Sequence, residues 1–475
     1  MLSQKHISYI SHDIQYSNDI YDVYMAFHHH FNEKDSVFLD SRGDRPVAPT
    51  YSYIACDPVY TITSRDGVTS IYCDHKTETY TGDAYNILKQ FVKSFDNPKG
   101  GIFGFLGYEF SVGLNGSVGA IRESPLQLDS YDYCFIVPRL LIIYDHHAKK
   151  MTINVLVLDQ FKIDHVAYFK NIIGRLHERV HHGRPPVAPT IIKSKFIGSN
   201  FSFSRYLKTI ETAKNYIREG DSYQIKLSQR LKFNFDGDPL SLYSDIRKIN
   251  PSPFSAFINF NKIKLLSCSP ENLLEVKNGI ALTRPIGGTY PREQNLNDES
   301  VKKEFLADEK EISEHIMLID LERNDLSRFC EYGSVKVDQL MSVETYSHLH
   351  HIVTTISGKL KPFCDQFDAY KNMAPGGTIT GCPKLRTMEI IRELEPTPRG
   401  PYTGSIGFFG FNGDCNFNII IRTLILLEKD AYLHVGGGIV FDSDPSREYF
   451  ETFWKAHAII KALGHDPEEL IRALR

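Results

Sequence analysis

Glu311 and Glu314 stand three residues apart, and Glu448 and Glu451 repeat that spacing near the end of the chain. Residues three apart share a helix face. Two helices brought together would therefore offer two pairs of carboxylates, an oxygen-rich site suited to Mg²⁺, which binds through a few carboxylates and leaves positions for water and an anionic substrate. The same spacing is common on solvated helices, and spacing alone favours that plainer reading. Neither pair forms the Glu-x-x-His motif of a di-iron bundle. Glycine-rich loops at Gly287-Gly288-Thr289, at Pro375-Gly376-Gly377-Thr378-Ile379-Thr380-Gly381 and at Gly436-Gly437-Gly438-Ile439 allow backbone N–H groups to face an anion. None is a Walker loop or a dinucleotide fingerprint, and each alone reads more readily as a tight turn. The histidine runs at 28–30, 146–147, 181–182 and 350–351 lack the i, i+4 spacing of helical metal ligands, and the eight cysteines are scattered singly. The cysteines read as reduced, mostly buried side chains.

These groups need elements to position them. Tyr206, Leu207, Ile210, Ala213, Tyr216 and Ile217 fall at helical spacing, with Ser204 placed to cap and Gly220 to terminate. The pattern predicts a second helix from about Glu299 to Leu321 with Phe305, Ile312, Ile316 and Ile319 on its apolar side. A third helix, opened by Asp442-Ser443-Asp444-Pro445, runs on through Lys455. Before residue 160, short runs such as Ser52–Ala55, Val59–Ile62, Phe135–Val137, Leu141–Tyr144 and Met151–Val157 alternate with turns and predict antiparallel strands. Three prolines and a glycine between His181 and Thr190 break every periodic pattern. We therefore expect a β-rich domain over 1–184, a linker over 185–198 and a second domain over 199–475. With 42% hydrophobic and 24% charged residues the chain is neither disordered, collagen-like nor a coiled coil. Its net charge of −4 argues against nucleic acid or an anionic membrane as the main partner. No apolar run reaches the ~18 residues of a membrane span. The first residues carry no secretory pattern, so a cytoplasmic location is expected.

Longer motifs appear in a fixed order: Gly220 to Gln229, Ser269-Pro270-Glu271, Arg284-Pro285-Ile286-Gly287-Gly288-Thr289, Glu314 to Leu326 with its Asp320-Leu321-Glu322-Arg323-Asn324-Asp325, Pro375 to Lys384, Ile421-Arg422-Thr423, and Gly436 to Glu451. This set resembles the chorismate-utilising enzymes, specifically the synthase components of aminodeoxychorismate synthase and anthranilate synthase, over nearly all of residues 200 to 465. A weaker likeness covers Asp40-Ser41 and the Tyr51 segment, which look like the part that binds tryptophan in some relatives. The resemblance implies an α+β fold of two large antiparallel sheets packed face to face with helices outside.

It also implies roles. Glu314 and Glu451 would bind Mg²⁺ and Glu311 and Glu448 would hold its waters, with Lys455 near the ring carboxylate of chorismate. Glu271 matches the general acid that protonates the departing hydroxyl, for which a raised pKa is expected; its plain alternative is a strand-end glutamate in solvent. Arg422, Tyr402 and the amides of Gly436, Gly437 and Gly438 match the groups around the enolpyruvyl carboxylate. His351 matches a histidine beside the ring and Thr289 a ring-side contact, while His350 packs or faces solvent. Gln224 stands where water-adding members carry a lysine, which favours amination. Two positions depart from the pattern. Gly287 replaces the nucleophilic lysine of many aminodeoxychorismate synthases, and Lys226 replaces a usual Asn. Lys226 is either a relocated amine or, the favoured reading, a strand lysine facing solvent. The chain shows no glutaminase region, so ammonia is expected from a separate glutaminase subunit. The reading is aminodeoxychorismate synthase component I, with anthranilate synthase component I as the alternative and a non-catalytic chorismate- or tryptophan-binding subunit as the second.

Overall fold

The computed structural model describes residues 3–31, 34–41, 51–116, 131–158, 164–182, 193–291, 298–345 and 349–475. Every pairing between its strands is antiparallel.

Two long strands, Tyr51–Arg65 and Tyr133–Asp145, organise the rest. They pair along most of their length, with a register shift between Pro58 and Tyr60. Such an irregularity bends a strand and increases its twist, and the two ends join different neighbours. The 51–56 end joins Ser36–Asp40, which leads through Phe254–Phe260, Ile263–Ser269, Thr423–Leu427 and Asp430–Ile439 to Gln224–Asp236 and Lys193–Ser199. The opposite end of the pair leads through Gly101–Leu106, Ser405–Gly410, Cys415–Ile419, Asn272–Lys277 and Ile280–Thr283 to Leu349–Lys359, which carries Ile286–Pro291 and Lys336–Thr345. The result is two large sheets sharing a bent pair of strands. Val37, Ile258, Leu265 and Ile425 of the first pack against Phe103, Phe105, Ile136 and Ile406 of the second. Helices cover both outer faces, Phe203–Arg218, Pro239–Ile249, Pro445–Ala462 and, through Ile390 and Ile391, Lys384–Leu394 on one, and Ala84–Lys93 and Gln366–Met373 on the other. This is the α+β arrangement expected. Strands from before residue 184 and after residue 199 hydrogen-bond directly at 36–40 with 254–260 and at 101–106 with 405–410.

Two predicted helices need correction. The first is Phe203–Arg218, and its cap is Ser202, whose Oγ accepts from Arg205 N at 3.3 Å; Ser204 lies in the first turn. Gly220, at φ +84°, follows the helix as expected. The second is two helices, Asp298–Ala307 and Glu309–Phe329, because Asp308 leaves the helix and caps the second segment by accepting from the amides of Lys310 and Glu311. The restart turns Ile316 outward, 46% exposed, and points His315, Leu318, Ile319 and Glu322 into the protein. The third predicted helix is Pro445–Ala462, which opens in the Asp442–Pro445 segment as expected, with Asp444 as its cap, and continues past Lys455. Among the described residues, no helix is long and apolar enough to cross a membrane.

Candidate active site

The strand Gln224–Asp236 lies beside Asp430–Ile439 in a register that sets Lys226 opposite Gly438, Ser228 opposite Gly436 and Arg230 opposite His434. On its other side Asp430–Ile439 pairs with Thr423–Leu427 only as far as Leu433. The edge at Gly436–Gly438 therefore opens onto a cavity of about 240 Å³ between the sheets, where amides in alternate directions are free of that ladder. Glu271, His351, Tyr402, Arg422 and Lys455 line the same space.

Each group has a physical character set by burial. Glu271 sits between two strands and is 8% exposed, not a strand-end residue in solvent. Burial pushes its carboxyl up to about 7, against the pull of the Thr378 hydroxyl, Lys226 and Arg422. Arg422 is held in the left-handed region at φ +49°, and its guanidinium has no hydrogen-bonding or ion-pairing partner among the described residues. Thr403, next to Tyr402, is also left-handed at φ +61°. Strain of this kind, about 1–3 kcal/mol per residue, persists where the surroundings over-determine it and clusters at functional sites. Burial, with Arg422 beside it, pulls His351 down to about 4, so the imidazole is neutral. His350, 1% exposed, packs inside and meets Thr345 Oγ1 at 3.0 Å. Tyr402 stacks on His434 with ring centroids 4.9 Å apart and planes at 9°. Thr289 pairs with His351 across the strands, and its side chain lies outside the described residues.

A second cavity, about 770 Å³, adjoins the first through Lys226, Ile286, Arg422, Gly438 and Lys455. Glu311 and Glu314 line it from the helix Glu309–Phe329, and Glu448 and Glu451 from Pro445–Ala462. The two helices act on each other's charges. Burial raises Glu311, and Glu314, Asp308 and Glu451 raise it further. Burial also raises Glu448, although Ser443 Oγ donates to it at 2.7 Å. Burial pushes Glu451 the same way, but Lys455 at 2.8 Å, with Lys226 and Arg447, outweighs it and holds Glu451 below the usual range. Gln224 Nε2 donates to Glu314 Oε2 at 3.3 Å, and Gln224 Oε1 is buried without a partner among the described residues. These mutually repelling carboxylates are hard oxygen donors, as Mg²⁺ requires. Among the described residues no three such groups form a ready-made metal cage.

Lys226 corrects the favoured expectation. It does not face solvent; it is half-buried at the junction of the two cavities. Gly287 lines the second cavity, and the ring of His315 occupies the space beside it: a Cβ at 287 would lie 2.3 Å from His315 Cγ. Sequence reasoning missed His315, His434 and Arg399. Arg399 is 2% exposed, donates to the Lys226 carbonyl at 2.8 Å and pairs with Glu395. His434 was traceable in principle, because strand alternation puts it on the face of Gly436 and Gly438. Arg399 lies among prolines and glycine with no period to reveal it.

Asp40, Ser41 and Tyr51 line a separate cavity of about 130 Å³. Asp40 is buried and ion-paired with Arg247, and Ser41 Oγ donates to the Pro253 carbonyl at 3.0 Å, so both also hold the fold together. All eight cysteines are free.

The chain as a whole has counterparts among known proteins. The family model for chorismate binding enzymes matches residues 34–461, and the chain belongs to that family. It is 37% identical to aminodeoxychorismate synthase component 1 of Bacillus subtilis (strain 168), over 92% of this chain and 93% of that one. It is 36% identical to anthranilate synthase component 1 of Synechocystis sp., over 87% of each chain. The crystal structure of anthranilate synthase component I from Streptococcus pneumoniae superimposes with TM-score 0.73 at 32% identity, over 88% of this chain and 93% of that one. The menaquinone-specific isochorismate synthase of Escherichia coli, 16% identical with TM-score 0.71, shares the fold.

Proposed function

We propose that this chain is the synthase component of an aminodeoxychorismate synthase, replacing the hydroxyl on ring carbon 4 of chorismate with ammonia supplied by a separate glutaminase subunit. The observation that carries the reading is the joined cavity. One half holds a protonatable buried carboxyl beside an unpaired arginine, and the other holds four carboxylates on two facing helices. Chorismate carries two carboxylates and a poor leaving group, so it needs cations at its ends and a proton donor at the departing oxygen.

Arg422 binds the enolpyruvyl carboxylate, its fork suited to two parallel contacts. Tyr402 and the open edge at Gly436–Gly438 complete that end. Glu271 gives its proton to the ring hydroxyl as the carbon–oxygen bond breaks, water leaves, and the nitrogen bonds to carbon 4. Gln224 and neutral His351 flank the ring, and the free amide oxygen of Gln224 can accept from an approaching N–H. Thr289 is assigned to the ring side. Glu314 and Glu451 would hold Mg²⁺ and Glu311 and Glu448 its waters, with Lys455 alongside; the bound ion supplies charge neutralisation at the ring carboxylate. Gly287 provides no amine, and the amination is a direct addition of ammonia.

The same Gly287, together with the cavity at Asp40, Ser41 and Tyr51, favours a second reading, anthranilate synthase with tryptophan in that cavity. Incubation with chorismate, Mg²⁺ and ammonium separates the two. We expect 4-aminobenzoate that forms only when an aminodeoxychorismate lyase is added. Anthranilate and pyruvate without lyase would replace the first reading with the second, with His351 as the proton-transfer residue. Loss of neither chorismate nor ammonium would leave only a binding subunit.

A further inference from the structure

Lys226 stands directly across the strands from Gly438. A Cβ at 438 would lie 2.6 Å from Lys226 Nζ and 3.0 Å from Gln224 Nε2, so the missing side chain is what leaves room for the amine at the junction of the cavities. The backbone beneath it is pinned, since Arg399 donates to the Lys226 carbonyl at 2.8 Å. Among the described residues the amine has no hydrogen-bond or ion-pair partner. Glu271, Glu314 and Glu451 draw on its charge and Lys455 opposes it, while burial disfavours the charged form most. A half-buried ammonium without a partner in a site built for anions is a cation waiting for one.

We propose that Lys226 is a substrate-binding cation that meets a carboxylate of the substrate where the two cavities join, sharing with the divalent ion the neutralisation of a dianion. This rests on the reading of the site as a chorismate site. It has a consequence that a passive lysine would not produce. Two cations that serve one substrate repel each other in its absence, so Lys226 weakens metal binding to the free enzyme and lets substrate bind without metal.

The sole tryptophan, Trp454, is exposed on the wall of the glutamate-lined cavity and gives a fluorescence signal for metal. We expect Lys226→Met to bind Mg²⁺ about ten-fold more tightly than wild type without substrate, and to bind chorismate about ten-fold more weakly by calorimetry in EDTA. Lys226→Asn should move both constants in the same directions, and Lys226→Arg, which keeps the charge, should leave both near wild type. Unchanged constants in both neutral variants, in a wild-type enzyme that turns over chorismate, would overturn this inference alone. A wild-type protein that binds no chorismate would overturn the assignment of function and this inference with it.

Discussion

Near neutrality Glu271 is poised between its two forms, because burial pushes its carboxyl up to about 7. Only the protonated form can donate to a leaving hydroxyl. Turnover is therefore expected to fall as pH rises through about 7, and Glu271→Gln should lose about 10²–10⁴-fold in kcat while still binding chorismate. A kcat–pH profile of both proteins checks this; an unchanged alkaline limb in the variant would remove Glu271 as the acid. A second buried carboxyl separates chemistry from stability. Burial, helped by Asp325, raises Glu322 to about 8, and Thr283 Oγ1 donates to it at 2.9 Å. A carboxyl whose folded value is raised contributes fully below its unfolded value near 4.5 and loses that contribution as pH rises through about 8. Glu322→Gln should thus match wild type at about pH 5 and exceed it by on the order of 2–4 kcal/mol at about pH 9 in urea unfolding. Equal stabilities at the higher pH would mean that Glu322 is not held protonated.

The glutamate pairs depend on where their helices begin. Asp308 starts the helix that carries Glu311 and Glu314, and it caps the amide of Glu311 itself at 3.1 Å. Asp308→Ala should cost about 1 kcal/mol in a thermal melt and weaken Mg²⁺ binding read from Trp454; an unaltered melting temperature would deny the cap its role. At this scale the sequence was legible wherever a period or a turn signal existed. The carboxylate spacing and the proline start at 445 could be read directly, whereas Gly436–Gly438, which alone reads as a loop or tight turn, lies within the strand Asp430–Ile439. The break at Asp308 was missed because the flanking segments are each helical, although Asp308 and Glu311 stand at the spacing of a helix start. Lys226 was misread for a similar reason: strand alternation gives its face but not the glycine across from it, and that pairing joins residues far apart in the chain.

Over the whole molecule, one bent pair of strands joins two sheets, and the site lies where those sheets separate. Alternation and turns announced β-structure before residue 160, but the interleaving of early and late strands is non-local and leaves no signature in either segment. Arg247 is one of the ties between them. Its guanidinium bonds both oxygens of Asp19 at 2.6 Å and also pairs with Asp40, while its side chain is 5% exposed. Removing one partner leaves buried charge uncompensated, so Arg247→Met should destabilise by about 3–5 kcal/mol; a denaturant midpoint equal to wild type would contradict this. The central claim is that the inter-sheet cavity and the facing glutamates form one chorismate site. It is tested most directly by chorismate consumption with ammonium, with and without Mg²⁺, in wild type and in Glu314→Gln and Glu451→Gln. We predict Mg²⁺-dependent consumption by wild type and its loss in both variants, with unchanged circular dichroism. Full activity in either variant, or no consumption by wild type, would contradict the account.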